Sequence, residues 1–348
     1  MNKKIQNAVR TETAEADFGR VLEIIQNGKN QAIQAVNVAL IDTYWHVGRY
    51  LSKRVNDSGW GKGVVKELSQ WLAVKSVELK GFSAQNLWRM KQFYEIYHDN
   101  EKLSALLRVL SWTHHCILMA QCKTDEERCF YAELCAKSAW SSRELENQIK
   151  RSNFERTALA DQKLSPVARE LSPRIHGIFK DTYLLDFLDL PEAYSEYDLQ
   201  AGLVKNLCKF LLELGTGFSF VGEKIRLQVG NTDFQLDLLF YHRNLQCLVA
   251  FELKTGKFEP SQLGQLSFYL EALDRDHKKP HENPSIGVLL CRNKDDEVVE
   301  YALSRTLSPA LVADYEHNLI SKALLKQKMH EWTSLIEAGK AESEAGDE

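Results

Sequence analysis

Gln235-Leu236-Asp237-Leu238-Leu239-Phe240-Tyr241, a short polar break, and then Cys247-Leu248-Val249-Ala250-Phe251-Glu252-Leu253-Lys254 form the stretch that decides how the rest of the chain is read. Both runs are apolar, aromatic and β-branched, and each is too short for a core helix, so both read as buried strands. The residues between them suit a hairpin turn. With that turn centred on Asn244-Leu245, antiparallel pairing sets 241 opposite 248, 239 opposite 250 and 237 opposite 252. Opposed residues share a face of the sheet, which makes Asp237 and Glu252 neighbours. Lys254 follows Glu252 by two residues, and strand alternation returns it to the same face.

Two carboxylates and an ammonium group on an apolar hairpin need a compensating interaction, because opposed like charges destabilise a sheet and burying them costs more. Two readings stay open on geometry alone. A divalent cation bound by the carboxylates and completed by water and phosphate oxygens would compensate them. So would Lys254, acting as a structural salt bridge to both acids.

Leu236-Asp237 followed by Glu252-Leu253-Lys254 resembles the PD-(D/E)XK signature of restriction-endonuclease-like nucleases, with Leu in place of the loosely kept Pro. Gln265-Leu266-Ser267-Phe268-Tyr269 is similar to the QxxxY element of the exonuclease-type branch. The wider run, from Asn206-Leu207 through Phe218-Ser219-Phe220-Val221-Gly222 to Ile286-Gly287-Val288-Leu289-Leu290-Cys291, resembles the YhcG-type nucleases, which carry a helical region ahead of the nuclease domain.

The resemblance implies a metal-dependent nuclease that hydrolyses phosphodiester bonds, in DNA rather than RNA. Mg²⁺ or Mn²⁺ would be held by Asp237 and Glu252, joined by the Leu253 carbonyl, and Lys254 would orient the water and stabilise developing charge. Gln265 and Tyr269, four apart on one helix face, would border the site, and Glu213 would be an outer carboxylate. The alternative is a catalytically inactive module on a nuclease fold that binds nucleic acid or a protein partner. A homo-oligomer is compatible with either.

Length favours two domains for 348 residues. The expected fold class is α+β: an all-α, helix-turn-helix-like domain over 1–160, then a restriction-endonuclease-like α/β domain over 171–336 with a mixed central sheet. A fragment starting near Leu171 is expected to fold alone. Residues 337–348, rich in acid, Ala and Gly, read as a disordered tail. No apolar run approaches the roughly 20 residues of a membrane span. The N-terminus lacks an apolar h-region, and seven cysteines without a CxxC pair suit reduced thiols in the cytoplasm.

The formal net charge of −4 conceals a local excess of base. Lys53, Arg54, Lys62, Lys66, Lys75, Lys80, Arg89 and Lys91 face only Asp57, Glu67 and Glu78, a patch able to bind phosphate. Apolar spacing predicts a helix pattern from Ala14 to Arg54 interrupted at Asn27-Gly28, a helix over Val64–Val77, a break at Gly81, and a helix capped by Ser83 that runs to about Tyr97. As a helix-turn-helix this pair would offer Gln85, Asn86, Arg89 and Lys91 to a groove, with Lys62 and Lys66 on phosphate. As an ordinary helical hairpin it would simply bury Leu87, Met90 and Phe93. His114, His115 and Cys116, Cys122, Cys129 and Cys135 are spaced too far along helices to share one ion, so small core residues explain them better than zinc.

Overall fold

The computed structural model describes residues 2–75, 80–100, 104, 106–171 and 175–345, with side chains described between Phe18 and Ser334. The chain forms two compact units, Met1–Glu146 and Asn147–Glu348.

The first unit is helical. It comprises α1 (Asn2–Ser58), α2 (Lys62–Lys75), α3 (Ala84–Tyr97), α4 (Trp112–Gln121) and α5 (Asp125–Ser138), and α6 (Ser142–Lys150) leads into the second unit. α1 runs through Asn27-Gly28 without a break, because a single glycine costs a helix only about 1 kcal/mol. Its C-terminal half buries Ile41, Tyr44 and Leu51 at helical spacing against α3, which buries Leu87, Met90, Phe93 and Tyr97. The two helices approach so closely that a Cβ on Gly48 would overlap the Met90 carbonyl oxygen. Trp112 wedges between Tyr44 and Phe93, with ring centroids 4.7 and 5.4 Å away.

Ser83 caps α3 as its sequence position predicts, its hydroxyl accepting from the Asn86 N–H. The C-terminal end expected for α2, at Val77, lies outside the described residues. His115 is buried, and desolvation lowers its pKa to about 4, so it sits in the core as neutral imidazole. Among the described residues no three His, Cys, Asp or Glu side chains group to hold a metal ion, and the seven cysteines are free thiols.

The second unit adds α7 (Asn153–Lys163), α8 (Pro166–Leu171), β1 (Thr182–Leu184), α9 (Glu196–Lys205), α10 (Leu207–Leu214), β2 (Phe218–Val229), β3 (Thr232–His242), β4 (Cys247–Leu253), α11 (Ser261–Asp276), β5 (Ile286–Cys291), α12 (Asp296–Ser304), β6 (Ala310–Glu316) and α13 (Lys322–Ala345). Its six strands form one mixed sheet in the order β1-β6-β5-β4-β3-β2. β2, β3 and β4 are an antiparallel meander, whereas β4, β5, β6 and β1 pair in parallel. β4 and β5 are buried along their whole length, as strands covered on both faces must be.

Phe240, Val249 and Phe251 pack on one face of the sheet with Leu199, Leu203 and Phe210. Leu239, Leu248 and Ala250 pack on the other with Leu266 and Leu270. A Cβ on Gly287 of β5 would come within 2.8 Å of Leu266, so glycine there lets α11 lie close on the sheet. The apolar run expected as one helix over Asp198–Leu214 is two, divided at Asn206. α13 is helical through Ala345, across most of the segment read as a disordered tail, and residues 346–348 lie outside the described residues. No described helix is long and apolar enough to cross a membrane.

Candidate active site

The hairpin register is the one the turn residues predict: Tyr241 pairs with Leu248, Leu239 with Ala250, and the ladder ends at Leu238 with Phe251. Asp237 and Glu252 stand one step beyond that end, where the strands begin to part. A different bond replaces the ladder there, because the Leu253 N–H donates to Asp237 Oδ2 at 2.8 Å. This holds the Asp237 carboxylate against the end of β4. Lys254 leaves the strand with its own N–H on the Leu290 carbonyl, 2.8 Å away, which anchors the catalytic-type E-x-K segment to β5. Its Nζ lies 3.1 Å from Glu252 Oε1.

Two further residues complete the cluster, and both come from α9. Glu196 Oε2 is 3.4 Å from Lys254 Nζ. Gln200, one helical turn on and 3% exposed, donates from Nε2 to the Asp237 carbonyl at 2.8 Å. α9 is fixed at its start by a full capping box between Ser195 and Asp198, which sets where Glu196 points. Neither residue belongs to the hairpin motif. Their signal is a polar pair at i and i+4 on the helix that also buries Leu199 and Leu203. Lys224 of β2 has a φ of +49°, and its ammonium lies 4.3 Å from the centroid of exposed Tyr197.

The charges are strained. Burial raises the pKa of Glu252, the Asp237 charge adds to this, and together they outweigh Lys254 and push it up to about 7. Desolvation likewise raises Asp237, against the Leu253 N–H and Lys254. Burial acts against the Lys254 ammonium, but Glu252, Glu196 and Asp237 prevail and raise its pKa. Glu252 Oε2 is buried with no hydrogen-bond partner. An orphaned carboxylate oxygen beside a second carboxylate is the donor set of a hard cation whose remaining positions are filled by water and substrate oxygens.

A pH dependence follows. Below about 4.5 Glu252 is protonated both folded and unfolded, and from there to about 7 the folded chain keeps a proton that the unfolded chain has lost. Stability of the metal-free protein therefore falls with rising pH across that window, by up to about 3 kcal/mol. Urea unfolding in EDTA at pH 5 and pH 7.5 measures it, and Glu252→Gln is expected to remove this slope.

Of the other expected site residues, Gln265 and Tyr269 bond to each other and Glu213 to buried cations. Gln265 donates to the Tyr269 hydroxyl at 2.6 Å, so the pair shares a face of α11 as its spacing predicts. Tyr269 is buried in the core, and neither residue bonds to Asp237, Glu252 or Lys254. Glu213, expected as an outer carboxylate, spends its hydrogen bonds on other groups. Its oxygens are taken by Arg156, by Arg151 Nη2 at 3.2 Å, by Lys180 Nζ at 3.4 Å and by the Leu184 N–H at 3.0 Å.

In the first unit Lys62, Lys66, Gln85 and Arg89 are exposed. Asn86 is committed to the fold: its Oδ1 accepts from the Trp112 indole at 3.0 Å and its Nδ2 donates to the Gly81 carbonyl. Lys91 is paired with Glu95 at 2.6 Å.

Residues 176–330 match the YhcG PDDEXK nuclease domain, and residues 20–156 match the DUF1016 N-terminal domain. The Escherichia coli (strain K12) protein named "Putative nuclease YhcG" is 29% identical over 92% of this chain and 94% of its own length. Among solved structures, a repair endonuclease from Pyrococcus abyssi is 16% identical over 35% of this chain with a TM-score of 0.23. The EndoMS-dsDNA2 complex is 20% identical over 35%, with a TM-score of 0.24. The chain spans about half the length of these two, 50% and 48%. With a helical region matched ahead of it, the unit that carries Asp237, Glu252 and Lys254 at the mouth of one hairpin is a YhcG-type PD-(D/E)XK nuclease domain over residues 176–330.

Proposed function

We propose that this chain hydrolyses phosphodiester bonds in DNA, in the cytoplasm, with Mg²⁺ or Mn²⁺ held by Asp237 and Glu252. The observation that carries the reading is the buried, unpartnered Glu252 Oε2 beside Asp237 at the open end of the hairpin. A divalent ion supplies counter-charge and Lewis acidity at the phosphate when bound. The protein's own groups do the rest. The Leu253 N–H keeps Asp237 in one orientation, and Glu196 and Glu252 keep the Lys254 ammonium charged and aimed at the carboxylate pair. Lys254 Nζ then orients the attacking water and stabilises the negative charge that develops on the phosphate oxygens. The pair Gln265 and Tyr269 supports this region from α11.

The helical region, with exposed Lys62, Lys66, Gln85 and Arg89, is read as a DNA-binding domain that neutralises phosphates. Incubating the purified chain with linear, circular and single-stranded DNA and with RNA, each with Mg²⁺, Mn²⁺ or EDTA, tests the proposal. DNA cleavage that needs the ion and is lost in Asp237→Asn is expected. A chain that binds DNA and cuts nothing under any of these conditions would instead be the inactive module.

A further inference from the structure

We propose that α1 is a self-association helix, pairing with α1 of a second copy of this chain as a two-stranded coiled coil. α1 is 57 residues long, roughly 85 Å at helical rise and far beyond an ordinary globular helix. It joins the core of its unit only from about Asn37 onward, where the Asn37 side chain donates to the Leu110 carbonyl at 3.0 Å. From Phe18 to Val36 every residue is exposed. That segment contains Gly19, Asn27, Gly28 and Asn30, poor helix formers that do not hold a helix in water without packing.

Its apolar residues are not scattered. Phe18, Leu22, Ile25, Ala32 and Val36, with Lys29 as the sixth member between Ile25 and Ala32, recur in alternating steps of four and three, the a and d positions of a heptad seam. Val21, Ile33 and Leu40 widen that seam on its two flanks. Phe18 is 70% exposed, Ile25 61% and Val36 60%. The stripe offers roughly 700 Å² of apolar surface, close to the roughly 800 Å² per partner of a standard interface and more than a monomer ordinarily leaves in water.

The partner is read from charge. The flanking positions that set partner choice in coiled coils hold Gly19, Gln26, Ile33 and Leu40 on one side and Val21, Gly28 and Ala35 on the other, with no charged side chain among them. Such a flank selects no oppositely charged partner and lays no like charge against a copy of itself. Lys29, the one ionised group in the seam, is the sort of residue that fixes register at a cost in stability.

Sedimentation equilibrium of the full-length chain tests this. The wild type is expected to sediment as a dimer that dissociates on dilution. Ile25→Glu, at a position 61% exposed, is expected to weaken association at least a hundredfold while the rest of the chain still unfolds cooperatively on heating. Lys29→Leu is expected to tighten it about tenfold. A wild type of single-chain mass at every concentration overturns the proposal, as would a dimer that neither substitution alters. The pairing does not depend on the nuclease reading, and it is measured without substrate or metal.

Discussion

Lys254→Ala is expected to lower the cleavage rate by about 10²–10³-fold, the scale of losing one group that acts on developing charge, while metal and DNA binding persist. The ammonium touches Glu252 at 3.1 Å and Glu196 at 3.4 Å and so cannot be removed silently. If it were only a structural bridge, its loss would leave an uncompensated buried carboxylate and cost about 3–5 kcal/mol. Glu252 softens that cost, because a carboxyl already pushed up to about 7 takes a proton when its partner is gone. The substitution is therefore expected to cost far less in the metal-free protein at pH 6, and less still with Mn²⁺ bound. Single-turnover cleavage with urea unfolding on the same preparation separates the two roles. Near wild-type cleavage would remove Lys254 from the mechanism.

Glu213→Ala is expected to be the most destabilising single change in the second unit, by about 3–5 kcal/mol at neutral pH, because it leaves buried cations without their counter-charge. Arg156 is fully buried on Glu213, and Lys180 and Arg151 converge on it from two other segments. Burial acts to raise the pKa of Glu213, but Lys180 and Arg156 overcome it and bring it down to about 2. Lys180 falls to about 8, since burial and the two guanidinium groups outweigh Glu213.

The sign follows from these values. A carboxylate with a depressed folded pKa stabilises fully above its unfolded value and loses that contribution as pH falls from about 4.5 to about 2. The gap between wild type and Glu213→Ala is thus expected to be full at pH 7 and to narrow steadily below pH 4.5. The same contacts bear on where the nuclease unit can be cut. A fragment that begins near Leu171 lacks Arg156 and also Lys163, which is buried on Asp181 at 3.1 Å. It is expected not to fold, whereas one beginning at Asn147, where the second compact unit starts, is expected to fold alone.

The hairpin was legible because strand period and turn chemistry are local. Placing the turn at Asn244-Leu245 gives the observed register, and with it the meeting of Asp237, Glu252 and Lys254. The Ser83 cap and the fully buried β5 could be read for the same reason. The partners of Glu213 are not legible because they lie 29 to 62 residues away in sequence, and nothing local distinguishes a buried glutamate from an exposed one. Glu196 and Gln200 escaped notice because α9 reads as an ordinary amphipathic helix until the sheet shows what its polar positions face. Asn86 looked like a DNA contact because it begins the second helix of a pair, but the Trp112 indole that occupies it comes from a later helix.

Thermal unfolding during Mn²⁺ titration most directly tests the proposed metal centre of Asp237 and Glu252. A ligand bound only by the folded state raises the melting temperature as its concentration passes its dissociation constant. The wild type is expected to show a saturable rise, and Asp237→Asn none, with the metal-free melting temperature of the variant equal to or above that of the wild type because one of two adjacent carboxylates is gone. Equal rises in both proteins, or no rise in either, would contradict it.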